Sequence, residues 1–229
     1  NMMTTSYEMF LQLPLFQGIN KKTLTTFIEK VKFNFVSYEA NNKIAEFGKT
    51  CKNLVFILQG EIVKEISSED KTFSIIEKLP INSLIEPTSL FGLNPTYHAT
   101  YTTTKESNLL VISKDYILDT LMEDNIFKLN FLNILSGKIH QQHKLLWYSS
   151  TTNELLDTFK RFILQHCEYL DSPIILKISM PDLAFHLRDT RLNVSKMLNK
   201  LDKLGLIDLK RLTINILKPI DIINLAQII

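Results

Sequence analysis

The segment SMPDLAFHLRDTRLNVSKMLNKLDKLGL, from Ser179 to Leu206, decides the fold. Ser179 precedes a helical pattern and is a good N-cap, and Pro181 lies in the first turn, where its missing N–H costs nothing. Thr190 can cap a second helix, and Gly205 is a typical left-handed terminator for it. The segment therefore predicts two short helices joined by a tight turn.

Apolar residues recur at helical spacing along both predicted helices and indicate one buried face. They are Leu183, Ala184 and Leu187 on the first helix and Val194, Met197, Leu198, Leu201 and Leu204 on the second. The opposite face of the second helix carries Arg191, Asn193, Ser195, Lys196, Asn199, Lys200 and Lys203. Arginine and lysine can bond guanine, asparagine can bond adenine, and further lysines suit phosphates. This face predicts a helix that reads a major groove; the alternative is an ordinary amphipathic pair with a solvated basic face.

Positive charge is concentrated where DNA reading requires it. Between Arg188 and Arg211 there are seven Lys and Arg residues against three Asp, a surplus of four, whereas the whole chain carries only +2. After Gly205, the β-prone segments 206–209 and 213–217 flank Lys210 and Arg211 and predict a small hairpin with a basic tip. The two helices and this hairpin together predict a winged helix-turn-helix.

The rest of the chain changes character twice. Residues 32–112 contain short segments rich in Phe, Val, Ile and Thr, cut by polar turns, which predict an antiparallel β jelly-roll or barrel, with a sandwich as the alternative. A long helix is expected from about residue 124 to 148. Its near-heptad seam predicts a dimer interface formed by Leu129, Leu132, Ser136, Ile139, His143 and Leu146; the alternative is a helix lying on its own domain. The expected architecture is α+β, with a β-roll domain over 1–123, a dimerisation helix over 124–150 and a DNA-binding domain over 151–229.

Composition limits the class of protein. Hydrophobic residues make up 45% of the 229 residues and charged residues 22%, as in a globular protein. No apolar run approaches the roughly 18 residues of a membrane span, and the N-terminal residues lack a signal-peptide pattern. Cys51 and Cys167 are far apart and form no metal or iron–sulfur motif. We expect a cytoplasmic protein that does not enter a membrane.

Two stretches resemble the Crp/Fnr superfamily of bacterial transcription regulators. Residues 44–48 and 54–60, IAEFG and LVFILQG, are similar to its strand and glycine-turn pairs. Residues 190–201, TRLNVSKMLNKL, are similar to its recognition helix. The resemblance implies a homodimer on a palindromic operator, with RNA polymerase as a further partner.

The chemistry of the exposed face and the resemblance together assign roles to individual residues, and the resemblance bears on Arg191, Leu192 and Lys196. Arg191, Asn193 and Lys196 would read bases, with Leu192 and Ser195 on the same DNA-facing surface. Phosphates would be held by Ser179, Thr190, Lys200, Lys210 and Arg211. Leu192 stands where the family has an acidic reader of cytosine, and leucine can only pack against a thymine methyl. We therefore expect an operator that differs from the usual family consensus at that base pair.

The effector pocket predicted by the resemblance comprises Glu86, Tyr97 and His98. Tyr97 and His98 occupy the place of the Arg-Ser pair that holds the phosphate of cyclic AMP in family members. Because a buried phosphate without arginine would lose its charge-assisted bonds, we expect an effector other than cyclic AMP in the usual mode. The sequence also vaguely resembles the branch of the superfamily that responds to nitrosative stress. Haem responding to nitric oxide is therefore kept as a hypothesis, with His98, His140, His143 or a methionine as the candidate axial ligand.

A different class of protein is the main alternative. A cupin-like β-barrel would bind a small molecule or a catalytic metal and carry an accessory helical domain. Such sites gather several histidines from barrel strands, whereas His98 is the only one of the five histidines in the strand region. No nucleophile–base pair, paired carboxylates or phosphate loop stands out, and we expect a protein that is not an enzyme.

Overall fold

The computed structural model describes residues 2–147 and 154–226, with side chains from Tyr7 onward. In chain order, its strands are β1 (Asn34–Tyr38), β2 (Lys43–Ala45), β3 (Asn53–Gln59), β4 (Ile62–Ser67), β5 (Phe73–Lys78), β6 (Thr100–Thr103), β7 (Ser107–Ser113), β8 (Ile174–Ile178), β9 (Ile207–Lys210) and β10 (Thr213–Ile216). Its α-helices are α1 (Met2–Leu11), α2 (Lys21–Lys30), α3 (Lys114–Asp119), α4 (Asn125–Leu146), α5 (Leu155–His166), α6 (Met180–Leu187), α7 (Arg191–Lys203) and α8 (Pro219–Ile223). The predicted strand segments between residues 32 and 113 are confirmed.

The chain forms two compact units. The first comprises residues 1–62 and 80–143, and the second comprises 63–79 and 144–229. In the first unit, β7 pairs antiparallel with β1 on one side and with β3 on the other, while β2 pairs antiparallel with β6. Apolar side chains of these strands fill its core, where the Phe16 ring lies 5.4 Å from Phe127 and 6.0 Å from Phe56. This core also buries one side of the N-terminal half of α4.

The prediction of antiparallel sheets is confirmed, but that of a barrel is wrong: the strands that the structure describes do not close on themselves. The reason lies in the hairpin of β4 and β5, which pairs with β8 from the C-terminal half through five residue pairs from Phe73↔Ile178 to Glu77↔Ile174. Residues 63–79 therefore pack in the second unit, whereas the predicted boundary assigned them to 1–123. The predicted boundary residues 148–153 lie outside the described residues.

The second unit is built on five antiparallel strands in the order β4-β5-β8-β10-β9. Phe73 and Ile75 of the hairpin share one core with Phe159, Leu198 and Ile214. Polar contacts add to this attachment. The buried Glu77 carboxylate accepts from the backbone N–H groups of Glu168 and Tyr169 at 2.9 and 2.7 Å, and burial raises its pKa. The hairpin is thus an integral part of the second unit.

Candidate nucleic-acid interface

The two helices α6 and α7 begin at the predicted caps. Ser179 Oγ accepts from the Asp182 N–H at 3.2 Å and donates to Asp182 Oδ2 at 2.6 Å. Thr190 Oγ1 accepts from the Asn193 N–H at 3.2 Å. Each cap satisfies a backbone donor that the helix itself leaves without a partner.

A left-handed residue closes the turn between these helices. Arg188 has φ +54°, a conformation that glycine adopts without strain. The neighbouring Asp189 N–H donates to the Ala184 carbonyl at 3.1 Å and fixes the turn. The helices are therefore held at a defined angle by backbone bonds.

The buried face of α7 follows the predicted helical spacing for Val194, Met197, Leu198 and Leu201, all of which are buried. The prediction for Leu204 is wrong, because its side chain is 53% exposed. The helix ends at Lys203, so Leu204 is the C-cap and its side chain leaves the periodic stripe. Gly205 follows with φ +73°, as predicted.

The opposite face of α7 is exposed and cationic. The exposed residues are Arg191, Leu192, Asn193, Lys196, Asn199, Lys200 and Lys203, and Ser195 is half-buried among them. Asn193, Lys196 and Lys200 line an open groove of about 480 Å³ beside Glu154 and Leu155. A groove with several cations and amides can accept a polyanion and offers hydrogen-bond donors to it.

One of the predicted base readers already has a partner within the chain. Asn193 Nδ2 donates to Asp189 Oδ1 at 2.8 Å, and the same oxygen accepts from the Thr190 N–H at 2.7 Å. Asp189 was not among the predicted site residues. It lies before the N-cap Thr190, outside α7, so helical spacing gave no signal that could have identified this bond.

The β9–β10 hairpin carries the other predicted contacts. Lys210 forms a surface ion pair with Asp208 at 3.4 Å, and Arg211 is exposed at the tip. Leu212, also at the tip, has φ +62° and tightens the turn. The exposed ion pair is worth little and does not prevent Lys210 from reaching another anion.

Two of the three predicted effector residues, Glu86 and His98, are bonded to each other in the first unit. The Glu86 carboxylate is the centre of this contact. Its Oε1 accepts from Ser89 Oγ at 2.6 Å and from the His98 N–H at 2.5 Å, and it lies 3.0 Å from His98 Nδ1. Its Oε2 accepts from the Tyr101 hydroxyl at 2.9 Å. Glu86 itself has φ +43°, so these bonds hold a strained turn. We call Glu86, Ser89, His98 and Tyr101 the Glu86 cluster.

Tyr97 and the histidines that are candidate haem ligands differ in solvent exposure. Tyr97 is buried beside Cys51, and burial raises the pKa of both groups. The His98 side chain is 76% exposed, and His140 and His143 are exposed on α4. No contact in the structure tests haem binding, which stays a prediction.

Comparison with solved structures shows which known fold this chain resembles. The sequence matches no family model and no curated protein. The catabolite activator protein of Thermus thermophilus is similar over 91% of this chain and 96% of its own, with a TM-score of 0.52 and 16% identity. The sensor domain of the transcriptional regulator DNR from Pseudomonas aeruginosa is similar over 66% of this chain and 98% of its own, with a TM-score of 0.53 and 16% identity. Both are Crp/Fnr regulators. The chain has a Crp/Fnr-like fold.

Within the Crp/Fnr-like fold, the predicted seam on α4 is exposed. Leu129, Leu132, Ile139 and Leu146 are all more than half exposed, and Ser136 and His143 are exposed between them. The opposite side of the helix buries Phe127 and Phe131 in its own unit. Helix α4 therefore presents one apolar face to its own core and a second apolar face outward.

Two further findings concern metal binding and membrane spans. In residues 2–147 and 154–226, no group of three or more His, Cys, Asp and Glu side chains is arranged to hold a metal ion. In the same ranges, no helix combines the length and the hydropathy of a membrane span. The Crp/Fnr-like fold does not favour the cupin-like alternative.

Proposed function

We propose that this protein is a DNA-binding transcription regulator of the Crp/Fnr type. The observation that carries the proposal is the exposed cationic face of α7. Both α6 and α7 are capped at their N-termini, and the β9–β10 hairpin that follows has a basic tip. In a winged helix-turn-helix, the second helix enters the major groove and the wing lies along the backbone. The Crp/Fnr-like fold supports this use of α7.

The exposed side chains divide by chemistry into base readers and phosphate contacts. Arg191 and Lys196 suit guanine, Asn193 suits adenine, and Leu192 suits a thymine methyl. Phosphates would be held by Ser179, Thr190, Lys200, Lys210 and Arg211. Arg191 and Leu192 lie in the first turn of α7, the part of a recognition helix that reaches base edges.

The regulator would act as a homodimer through α4. A stripe of leucine and isoleucine along a helix is stabilised when a second copy covers it, since each buried side chain gains about 1.5–3 kcal/mol. Two copies would place their α7 helices in successive major grooves, roughly 34 Å apart, and would select a palindromic operator. RNA polymerase is a further proposed partner.

The effector would be something other than cyclic AMP in the usual mode. The carboxylate of Glu86 accepts hydrogen bonds from Ser89, His98 and Tyr101, so it is held by groups of its own chain. Tyr97 and His98 provide no guanidinium for a cyclic phosphate. The N-terminal unit would sense a ligand of another kind.

Salt-dependent binding to random-sequence DNA tests the proposal. Lys196→Gln, Lys200→Gln and Lys203→Gln are combined, and the matched control combines Lys21→Gln, Lys22→Gln and Lys30→Gln on the exposed face of α2. On random-sequence DNA no base is read specifically, so all three lysines can lie against phosphates. Each lost phosphate contact reduces the slope of log K against log salt by about 0.9, so the α7 variant should lose roughly 2–3 units of slope. The control should keep the wild-type slope. Equal losses in both variants would mean that the overall charge of the protein, rather than α7, binds DNA.

The dimer is tested separately by sedimentation. Ile139→Glu places a charge in the exposed apolar stripe, and Leu118→Glu, at another exposed apolar residue, is the control. We expect Ile139→Glu to sediment as a monomer and Leu118→Glu as a dimer. A dimeric Ile139→Glu variant would show that this stripe is not the interface.

A further inference from the structure

Asp189 lies in the turn between α6 and α7 and is the residue that directly precedes the N-cap Thr190. Its Oδ1 accepts from Asn193 Nδ2 at 2.8 Å and from the Thr190 N–H at 2.7 Å. Its own N–H donates to the Ala184 carbonyl at 3.1 Å. Both the backbone and the side chain of Asp189 are thereby fixed to the frame of the two helices.

This contact determines which way the Asn193 amide faces. A carboxylate only accepts hydrogen bonds, so the group that faces Asp189 must be the amide nitrogen. The Asn193 oxygen is consequently on the side away from Asp189. The amide nitrogen has a second hydrogen, so Asn193 still offers one acceptor and one donor to another molecule.

One acceptor and one donor on the same amide match one base. Adenine offers its N6 amino group and its N7 acceptor in the major groove, and asparagine pairs with both at once. Asn193 is exposed in the first turn of α7 beside Arg191 and Leu192, on the cationic face. We propose that Asp189 is a positioning residue, which sets the Asn193 amide in the orientation that reads adenine. This inference rests on the proposed DNA-binding function and adds a specificity determinant to it.

The carboxylate also has an unfavourable effect that any test must separate. A negative charge at the DNA-facing end of α7 repels phosphates and lowers the affinity for all sequences. A purely local role, in which Asp189 supports the start of α7, would alter stability and would leave base preference unchanged. Base preference is therefore the decisive measurement.

The test selects preferred sites from a random duplex library with the full-length wild type and three variants. Asp189→Asn and Asp189→Ala both remove the charge, but only asparagine keeps an acceptor oxygen for Asn193 and Thr190. Asn193→Ala removes the reader itself and identifies the base pair that it contacts. Thermal unfolding and binding to random DNA confirm that each variant is folded.

We expect the wild type and Asp189→Asn to prefer adenine at the base pair identified with Asn193→Ala. In Asp189→Ala, that preference should fall by about fivefold or more, the lower end of what one bidentate contact contributes. Preferences at the other base pairs should be unchanged. The two Asp189 variants should bind random DNA equally well, since they have the same charge.

Three outcomes would overturn the inference. An adenine preference retained in Asp189→Ala would show that Asn193 needs no positioning. Loss of preference in Asp189→Asn and Asp189→Ala alike would assign the effect to charge. Enriched sites that do not change in Asn193→Ala would show that Asn193 reads no base. In each case the wild type still selects DNA sites, whereas a wild type that selects none would contradict the proposed function itself.

Discussion

The Glu86 cluster and the outer face of α7 are both polar, but they satisfy their polar groups in opposite ways. The Glu86 carboxylate accepts bonds from Ser89, His98 and Tyr101, and its side chain is only 9% exposed. Along α7, Arg191 and Lys200 extend into solvent. Buried polar groups must find partners within the chain, because an unmade buried bond is costly. Exposed cations carry no such requirement, so the side chains of α7 remain available for the proposed contacts with DNA.

The largest effect should come from breaking the Glu86 cluster. Glu86→Ala removes the acceptor of the buried Ser89 hydroxyl and of the Tyr101 hydroxyl, and we expect the free energy of unfolding to fall by about 3 kcal/mol. Urea denaturation measures this change. The control is Glu46→Ala, which breaks an exposed pair with Lys43 and should change stability by no more than about 0.5 kcal/mol. If the two variants were equally stable, the cluster would not be structural.

Arg191→Ala should weaken DNA binding and leave the stability of the protein almost unchanged. The residue is exposed at the start of α7, so we expect its unfolding free energy to stay within about 0.5 kcal/mol of the wild type. Specific DNA affinity should fall by about 1–3 kcal/mol, with relaxed preference at one base pair. Fluorescence anisotropy on an operator panel measures both effects. Unchanged specific affinity would mean that the proposed docking of α7 is wrong.

Leu192→Glu should change preference by about 1 kcal/mol or more at one base pair. Leucine packs against a thymine methyl, whereas glutamate accepts a hydrogen bond from the cytosine amino group. On the same operator panel, the preferred base should therefore change from thymine to cytosine at that position. An identical preference in both proteins would remove Leu192 from the set of base readers.

The smallest effect is expected for Lys200→Ala. A lysine that holds one phosphate contributes equally to all sequences, so affinity should fall uniformly while base preferences stay the same. The slope of log K against log salt should decrease by about 1. Titrations at several salt concentrations measure it. A change in base preference would reassign Lys200 from the phosphates to a base.

Local features of the second unit were predictable from sequence because they depend on neighbouring residues. The caps at Ser179 and Thr190, the terminator Gly205 and the buried face of α7 follow from spacing and side-chain chemistry alone. The prediction that Leu204 is buried was wrong because the apolar periodicity of the sequence continues past Lys203, where α7 ends.

Long-range pairing was not predictable in the same way. Strand β5 pairs with β8 about 100 residues further along the chain, and no local pattern specifies that partner. One signal was nevertheless present: Glu77 lies on the same face of β5 as Phe73 and Ile75, at a spacing of two. A carboxylate in line with core residues indicated that it would be buried and bonded, and it accepts two backbone N–H groups.

The candidate site was predicted in composition but not in its internal bonds. The residues expected on the DNA-facing side of α7 are exposed there, apart from the half-buried Ser195. The bond between Asp189 and Asn193 depends on the left-handed turn at Arg188, which a sequence pattern does not reveal. The effector contact of Glu86 stays a prediction, and the hydrogen bonds of its carboxylate to Ser89, His98 and Tyr101 were not predicted.

Selection of preferred sites from a random duplex library by the wild-type protein shows whether α7 reads DNA as part of a homodimer. We expect an enriched inverted repeat, with half-site centres about 10–10.5 base pairs apart and a binding affinity that falls steeply with salt. Enrichment of a single half-site would contradict the proposed dimer. No enriched sequence at all, at any salt concentration, would contradict the proposal that α7 reads DNA.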